Sequence, residues 1–172
     1  KVRLSFFFFF SSVAGYFLAS YSIDYFILIL LVVGGLAVVG ASNIFNQVFE
    51  KDLDKLMERT QNRPLPAERI TTVNALFLGV LLTLMGVTNL KTAFFASVSI
   101  FLYAFLYTPL KQKTSLSVFV GAFPGAIPFM LGWVAATNHF GIEPGVLFMV
   151  QFFWQFPHFW AIGWLLHPQY QK

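Results

Sequence analysis

Apolar residues gather in long runs along this chain, separated by short polar breaks. A helix crossing the ~30 Å hydrocarbon core of a bilayer needs about 20 predominantly apolar residues. Leu4–Ser20, Tyr25–Phe45, Val73–Thr88, Thr92–Leu110, Leu116–Thr137 and Gly145–Leu166 reach or approach that length, the first and third being short. The pattern predicts an all-α fold, a polytopic transmembrane helix bundle in one domain over residues 1–172. A signal peptide does not describe the first run, because further apolar spans keep following it.

The breaks between runs differ in charge, and the difference predicts orientation. Tyr21–Asp24, Asn89–Lys91 and Asn138–Pro144 fall on one side with Lys91 as their single cation. Lys1, Arg3, Lys51, Lys55, Arg59, Arg63, Arg69, Lys111, Lys113 and Lys172 fall on the other. The positive-inside rule makes that basic side cytoplasmic, or the equivalent side in an organelle. Small residues recur where helices must approach closely, as Gly34, Gly35 and Gly40 in the second span and as the Gly121–Gly125 spacing in the fifth. Pro124 and Pro128, one turn apart in the fifth span, each remove a backbone donor, which predicts a local opening beside a cavity.

Composition agrees with a membrane chain and removes several function classes. Apolar residues make up 58% and charged residues 10%, with mean hydropathy +0.72, against about 45–50% and about 25% in soluble domains. The Phe6 to Phe10 run would promote aggregation on a water-facing surface. With no cysteine, disulfides, thiolate nucleophiles and Cys-ligated metals are excluded. The net charge of +4 follows from topology, so no nucleic-acid partner is implied.

Candidate chemistry concentrates in one segment. Five of the seven acids lie within NQVFEKDLDKLMERTQNRPLPAE, which starts at Asn46. Four residues of helix advance ~6 Å and turn ~400°, so Asn46, Glu50 and Asp54 form one stripe. Glu50, Asp54 and Glu58 repeat a repulsive i, i+4 spacing, with Lys51, Lys55 and Arg59 on the neighbouring stripe, where a helix built for solubility would use Glu-to-Lys pairs. Lys51–Asp54 and Lys55–Glu58 at i, i+3 relieve part of that repulsion, and a bound divalent cation would relieve the rest. Oxygen-only ligands favour Mg²⁺ or Ca²⁺, and a sparse stripe suits Mg²⁺, which takes one or two carboxylates plus substrate phosphates. Arg59 and Arg63 bracket the following turn and can grip phosphate oxygens, while Lys111 and Lys113 reach the same face from the next basic loop. An ordinary wet loop is the competing reading. The regular carboxylate spacing, Asn43 and Asn46 inside the helix end, and the sharp stop at Pro64 and Pro66 favour a site.

The sixth span carries Gln151, Gln155 and His158 at i, i+4 and i+7, a spacing that predicts one shared helix face, and polar groups at such depth usually face a bundle interior. His158 is a candidate ligand of a metal or haem iron, or a hydrogen-bonded structural histidine.

NQVFEKDLDKLMERTQNRPLP resembles the first Asp-rich motif of the intramembrane aromatic prenyltransferases of UbiA type, N-x-x-x-D-x-x-x-D followed by RTxxRPL. Within that superfamily, MERTQNRPLP, YTPLKQKTSLSVFVGAFPGAIPFMLGW and QFFWQFPHFWAIGW resemble the haem O synthases. The resemblance runs over essentially the whole chain. It implies a bundle of about nine helices, of which this chain holds the first six, in a bacterial inner (plasma) membrane with the segments 46–69 and 111–113 cytoplasmic. It also implies Mg²⁺-assisted ionisation of farnesyl diphosphate and farnesyl transfer to a vinyl group of protohaem IX (haem b). Haem A synthase is the partner next in that biosynthesis. By position, Asn46, Glu50 and Asp54 hold Mg²⁺ and carry catalysis, Arg59, Arg63 and Lys111 bind diphosphate with Tyr107 nearby, and His158 lies in the haem pocket. Glu50 departs from the usual Asp. The second acidic motif is expected just after the sixth span, where this chain reads LLHPQYQK, so the domain is expected to be incomplete at its C-terminus. Prenyl transfer to a quinone precursor and a non-catalytic membrane carrier are the alternative functions.

Overall fold

The structure is a computed structural model that describes residues 2–57, 60–85, 89–111 and 113–170. Each apolar run becomes a helix, and no strand occurs among the described residues. The order is α1 (Val2–Ala19), α2 (Tyr25–Phe49), a short α3 (Lys51–Leu56), α4 (Thr72–Met85), α5 (Leu90–Phe101), a π-helical stretch (Leu102–Tyr107), α6 (Thr108–Leu110), α7 (Leu116–Thr137) and α8 (Ile142–Tyr170). Among the described residues, Tyr25–Phe49, Leu90–Leu110 and Leu116–Thr137 are each long and apolar enough to cross a membrane. The apolar parts of the first and third spans, Phe6–Ala19 and Thr72–Leu84, are shorter, as the sequence predicts.

Helix ends are set locally. Asp24 caps α2 by accepting from the amides of Phe26 and Ile27, and Asn89 forms a reciprocal capping box with Thr92 at the start of α5. Both supply acceptors to amides that the helix leaves unpaired. At the end of α7, Asn138 takes a left-handed φ of 48°, which an Asn tolerates better than most residues.

α7 is the hub, packing against α1, α8, α5 and the π stretch, while α4 leans on α2. Its centrality shows in burial: 56% of its membrane-length window lies inside the protein, against 22% for α2. Small side chains make this possible, since lipid offers helices no hydrophobic drive to associate and close packing must hold them. Ala122, Ala126, Val134 and Ala135 of α7 are all but fully buried. At the crossing of α1 and α7, a Cβ on Gly15 would run into the Phe129 carbonyl, and one on Gly132 into the Ser12 carbonyl. Gly121 and Gly125 serve as the sequence predicts, seating the Tyr107 ring and the Gln155 amide. Gly35 differs: a Cβ there would meet nothing within 4 Å, because Gly35 borders a cavity instead of a helix.

That cavity lies between α1, α2, α5 and α7 and is walled mainly by apolar groups, among them Phe9, Val38, Ala96 and Leu131. Pro124 and Pro128 line it, although α7 remains continuous through both. The Phe6 to Phe10 run divides its duties. Phe8 and Phe9 face the cavity, while Phe6, Phe7 and Phe10 stay exposed.

Replacing Gly132 with Val forces α1 away from α7, and overpacking of this kind costs about 1–3 kcal/mol. The variant is expected to unfold at lower temperature in detergent, read by thermal scanning. An unchanged midpoint would mean that the two backbones do not meet as described.

Candidate active site

The stripe read from the sequence forms. α2 ends at Phe49 and α3 starts at Lys51, yet the Glu50 amide still donates to the Asn46 carbonyl (3.0 Å) and the Asp54 amide to the Glu50 carbonyl (2.8 Å). The helical spacing therefore survives the boundary, and the three side chains stay on one face. All are buried, Asn46 at 0%, Glu50 at 8% and Asp54 at 4% exposure. The Asn46 amide nitrogen donates to Glu50 Oε2.

Two buried carboxylates need partners, because an ionised group taken out of water costs several kcal/mol unless it is paired. Arg63 supplies one, its guanidinium donating to Asp54 Oδ2 at 2.7 Å. Lys111 supplies the other through Glu50 Oε1. Arg63 is brought there by the turn after α3, where the buried Thr60 hydroxyl donates to the Asp54 carbonyl (2.9 Å) and so closes the end of the helix. Leu65 anchors the same loop at 3% exposure. Farther out, Lys55 pairs with Glu68 at 3.0 Å. The hydrogen bond and charge of Lys55 hold the Glu68 carboxyl below its usual value.

The third wall comes from the helix that carries Lys111. Between Leu102 and Tyr107 it opens to π geometry, a form that occurs mostly as single turns and frequently at functional sites. The Thr108 hydroxyl donates to the Tyr103 carbonyl at 2.9 Å. Tyr103 and Tyr107 stack with centroids 5.4 Å apart, and the Lys111 ammonium stands 5.7 Å from the Tyr107 ring centre, within cation–π range. The Tyr103 hydroxyl donates to Asn46 Oδ1 at 3.1 Å. A chain of polar contacts thus runs from Tyr103 through Asn46 and Glu50 to Lys111.

The structure brings together Asn46, Glu50, Asp54, Arg63, Tyr107 and Lys111. Arg59 and Glu58 lie outside the described residues. Lys113 is exposed. His158 is not brought to this cluster: it sits exposed on α8, beside Phe159. Gln155 is buried against Gly125 and Gln151 half-buried, so the three polar groups of that span do not share one environment. Sequence reading missed Tyr103 and Thr60. Thr60 had a usable signal in its place between Arg59 and Arg63; Tyr103 had none, because its contact spans 57 residues and depends on the π stretch.

Among the described residues no three His, Cys, Asp or Glu side chains meet as a metal cage. Asn46 and Glu50 do meet, and Asp54 follows one turn on along the same face; an amide and two carboxylates are a hard oxygen set that fits an ion completing its shell with phosphate and water.

The profile of the UbiA prenyltransferase family matches residues 8–172, and the chain belongs to that family. It is 60% identical to a protein of Christiangramia forsetii named protoheme IX farnesyltransferase, over all of this chain and 59% of that one. Proteins of the same name from Flavobacterium psychrophilum and Sorangium cellulosum are 59% and 42% identical, over 95% and 84% of this chain and 57% and 54% of theirs. The chain thus spans under three-fifths of the length of each of these three relatives. A solved structure, described as giving insight into digeranylgeranylglyceryl phosphate synthase in membranes, superposes with a TM-score of 0.73 over 84% of this chain and 53% of that one. At 19% identity it shares the fold.

Arg63→Met leaves Asp54 buried without its guanidinium. Loss of one partner from a fully buried pair costs about 3–5 kcal/mol; with Arg63 24% exposed, about 2 kcal/mol is expected. A thermal-unfolding double-mutant cycle with Asp54→Asn should show the two losses strongly non-additive. Simple additivity would dissolve the pair. Separately, Lys55→Met is expected to raise the Glu68 titration midpoint toward the ordinary carboxylate value, read by carbon-detected NMR.

Proposed function

We propose that the protein transfers the farnesyl group of farnesyl diphosphate to a vinyl group of protohaem IX, giving haem O in the path to haem A. The observation that carries the reading is the buried Asn46, Glu50 and Asp54 stripe, met by Arg63 and Lys111 beside an apolar cavity. The names of relatives up to 60% identical supply the acceptor.

Asn46, Glu50 and Asp54 are the residues that would hold Mg²⁺, which when bound supplies Lewis-acid stabilisation of a departing diphosphate. Arg63 and Lys111 turn from the carboxylates to phosphate oxygens, which they neutralise as charge develops there. The C1–O bond of the prenyl diphosphate breaks with its electron pair leaving on the diphosphate. The vinyl π electrons bond to C1, and water adds to the resulting cation and loses a proton. The apolar cavity walls keep water from the allylic cation until the acceptor is in place.

His158 is proposed to meet the haem from the exposed face of α8, as ligand or hydrogen-bond partner. Arg59, four residues before Arg63 in the sequence, is proposed as a further diphosphate ligand. The setting proposed is a bacterial inner membrane with the segments 46–69 and 111–113 cytoplasmic, supported by the distribution of Lys and Arg. Haem A synthase is the proposed downstream partner.

Full-length protein supplied with farnesyl diphosphate, haem b and Mg²⁺ should consume the diphosphate in a haem-dependent way and yield haem O by mass spectrometry. Asp54→Asn is expected to lower turnover by at least about 100-fold. Equal turnover with the metal chelated, or consumption supported by a phenolic acceptor and indifferent to haem, would overturn the reading.

A further inference from the structure

The polar cluster and the apolar cavity share a boundary, and Tyr103 stands on it. Its hydroxyl donates to Asn46 Oδ1, and the residue lines the cavity with Ala96, Ser99 and Pro128. Tyr107, one turn on, carries Lys111 over its ring and lies outside the lining described for the cavity. We infer that Tyr103 is a catalytic residue that touches the substrate at the junction of its anionic head and isoprenoid tail. The inference rests on the functional reading above.

The argument is one of position. Arg63 and Lys111 fix where a diphosphate head must lie, and the apolar wall fixes where a hydrocarbon tail must lie. The carbon joining the two then passes Tyr103. An aromatic face stabilises an adjacent cation through its quadrupole, most strongly where water is excluded, and positive charge appears at that carbon when its bond to the leaving diphosphate breaks. Stacking on Tyr107 at 21° between planes and the bond to Asn46 hold the ring in place beforehand. Such preorganisation is what makes an electrostatic contribution effective in the transition state.

The ring and the hydroxyl therefore have separable tasks. Tyr103→Phe keeps the ring and removes the hydroxyl's bond to Asn46. Tyr103→Leu removes both.

In the full-length protein, binding of the unreactive farnesyl thiolodiphosphate with Mn²⁺ can be followed by the electron paramagnetic resonance of the metal, and turnover by haem O formation. Tyr103→Phe is expected to weaken Mn²⁺-dependent binding of the thiolo analogue by about 5-fold, the loss of one buried hydrogen bond, with kcat within about 2-fold of wild type. Tyr103→Leu is expected to bind like the Phe variant but to lose a further factor of about 10 in kcat. A purely structural role predicts no such split between binding and kcat. Equal kcat in the Phe and Leu variants, or wild-type behaviour of both, overturns the inference while the functional reading stands. Failure of the wild-type protein to bind the analogue with Mn²⁺ overturns both.

Discussion

Two carboxylates withdrawn from water at the end of a membrane helix are the constraint around which this part of the molecule is built. Glu50 and Asp54 are at most 8% exposed, and an unpaired charge so placed would cost more than most single contacts return. Arg63 must therefore fold back from the loop, and Lys111 must arrive from a different helix. The first demand shapes the segment after α3, where Thr60 closes the helix and Leu65 is buried. The second demands that the rod of α5, π stretch and α6 lie along α2.

Packing in the rest of the bundle obeys a different economy of size. Between α1 and α7 the contact is backbone to backbone at Gly15 and Gly132, with no room for a Cβ, whereas the larger apolar side chains are left facing outward, as Phe7, Phe17 and Trp160 are. In water that arrangement would be inverted. In lipid, large outward groups carry no penalty and close backbones gain dispersion contact.

Much of this was legible because it depends on short periods. Helices follow from apolar run length, and the Asn46, Glu50 and Asp54 stripe from a spacing of four. Arg63 and Lys111 were legible as cations of one membrane face, but not as partners of Asp54 and Glu50, because that pairing depends on how the loop folds. Gly35 was read as a packing glycine and borders a cavity, since a glycine in sequence does not say whether its open side meets a helix or a void. Gln155 and His158 were placed on one face, yet three residues turn about 300°, which leaves His158 roughly 60° round the helix from Gln155. That rotation separates a buried amide from an exposed imidazole. Tyr103 was beyond reach, because no local rule predicts a π stretch from LYAFLY.

The pairing of acids with cations also links two parts of the functional reading that look independent. A diphosphate carries charge of the same sign as Glu50 and Asp54, and it would compete with them for Arg63 and Lys111. If those cations moved to phosphate alone, both carboxylates would stay buried and unpaired beside further negative charge, an arrangement that desolvation forbids. Something positive has to take their place on Glu50 and Asp54, and the oxygen donors there suit a hard divalent ion. Arg63 and Lys111 as diphosphate ligands therefore require a cation on the stripe, so that half of the proposal fails without the other.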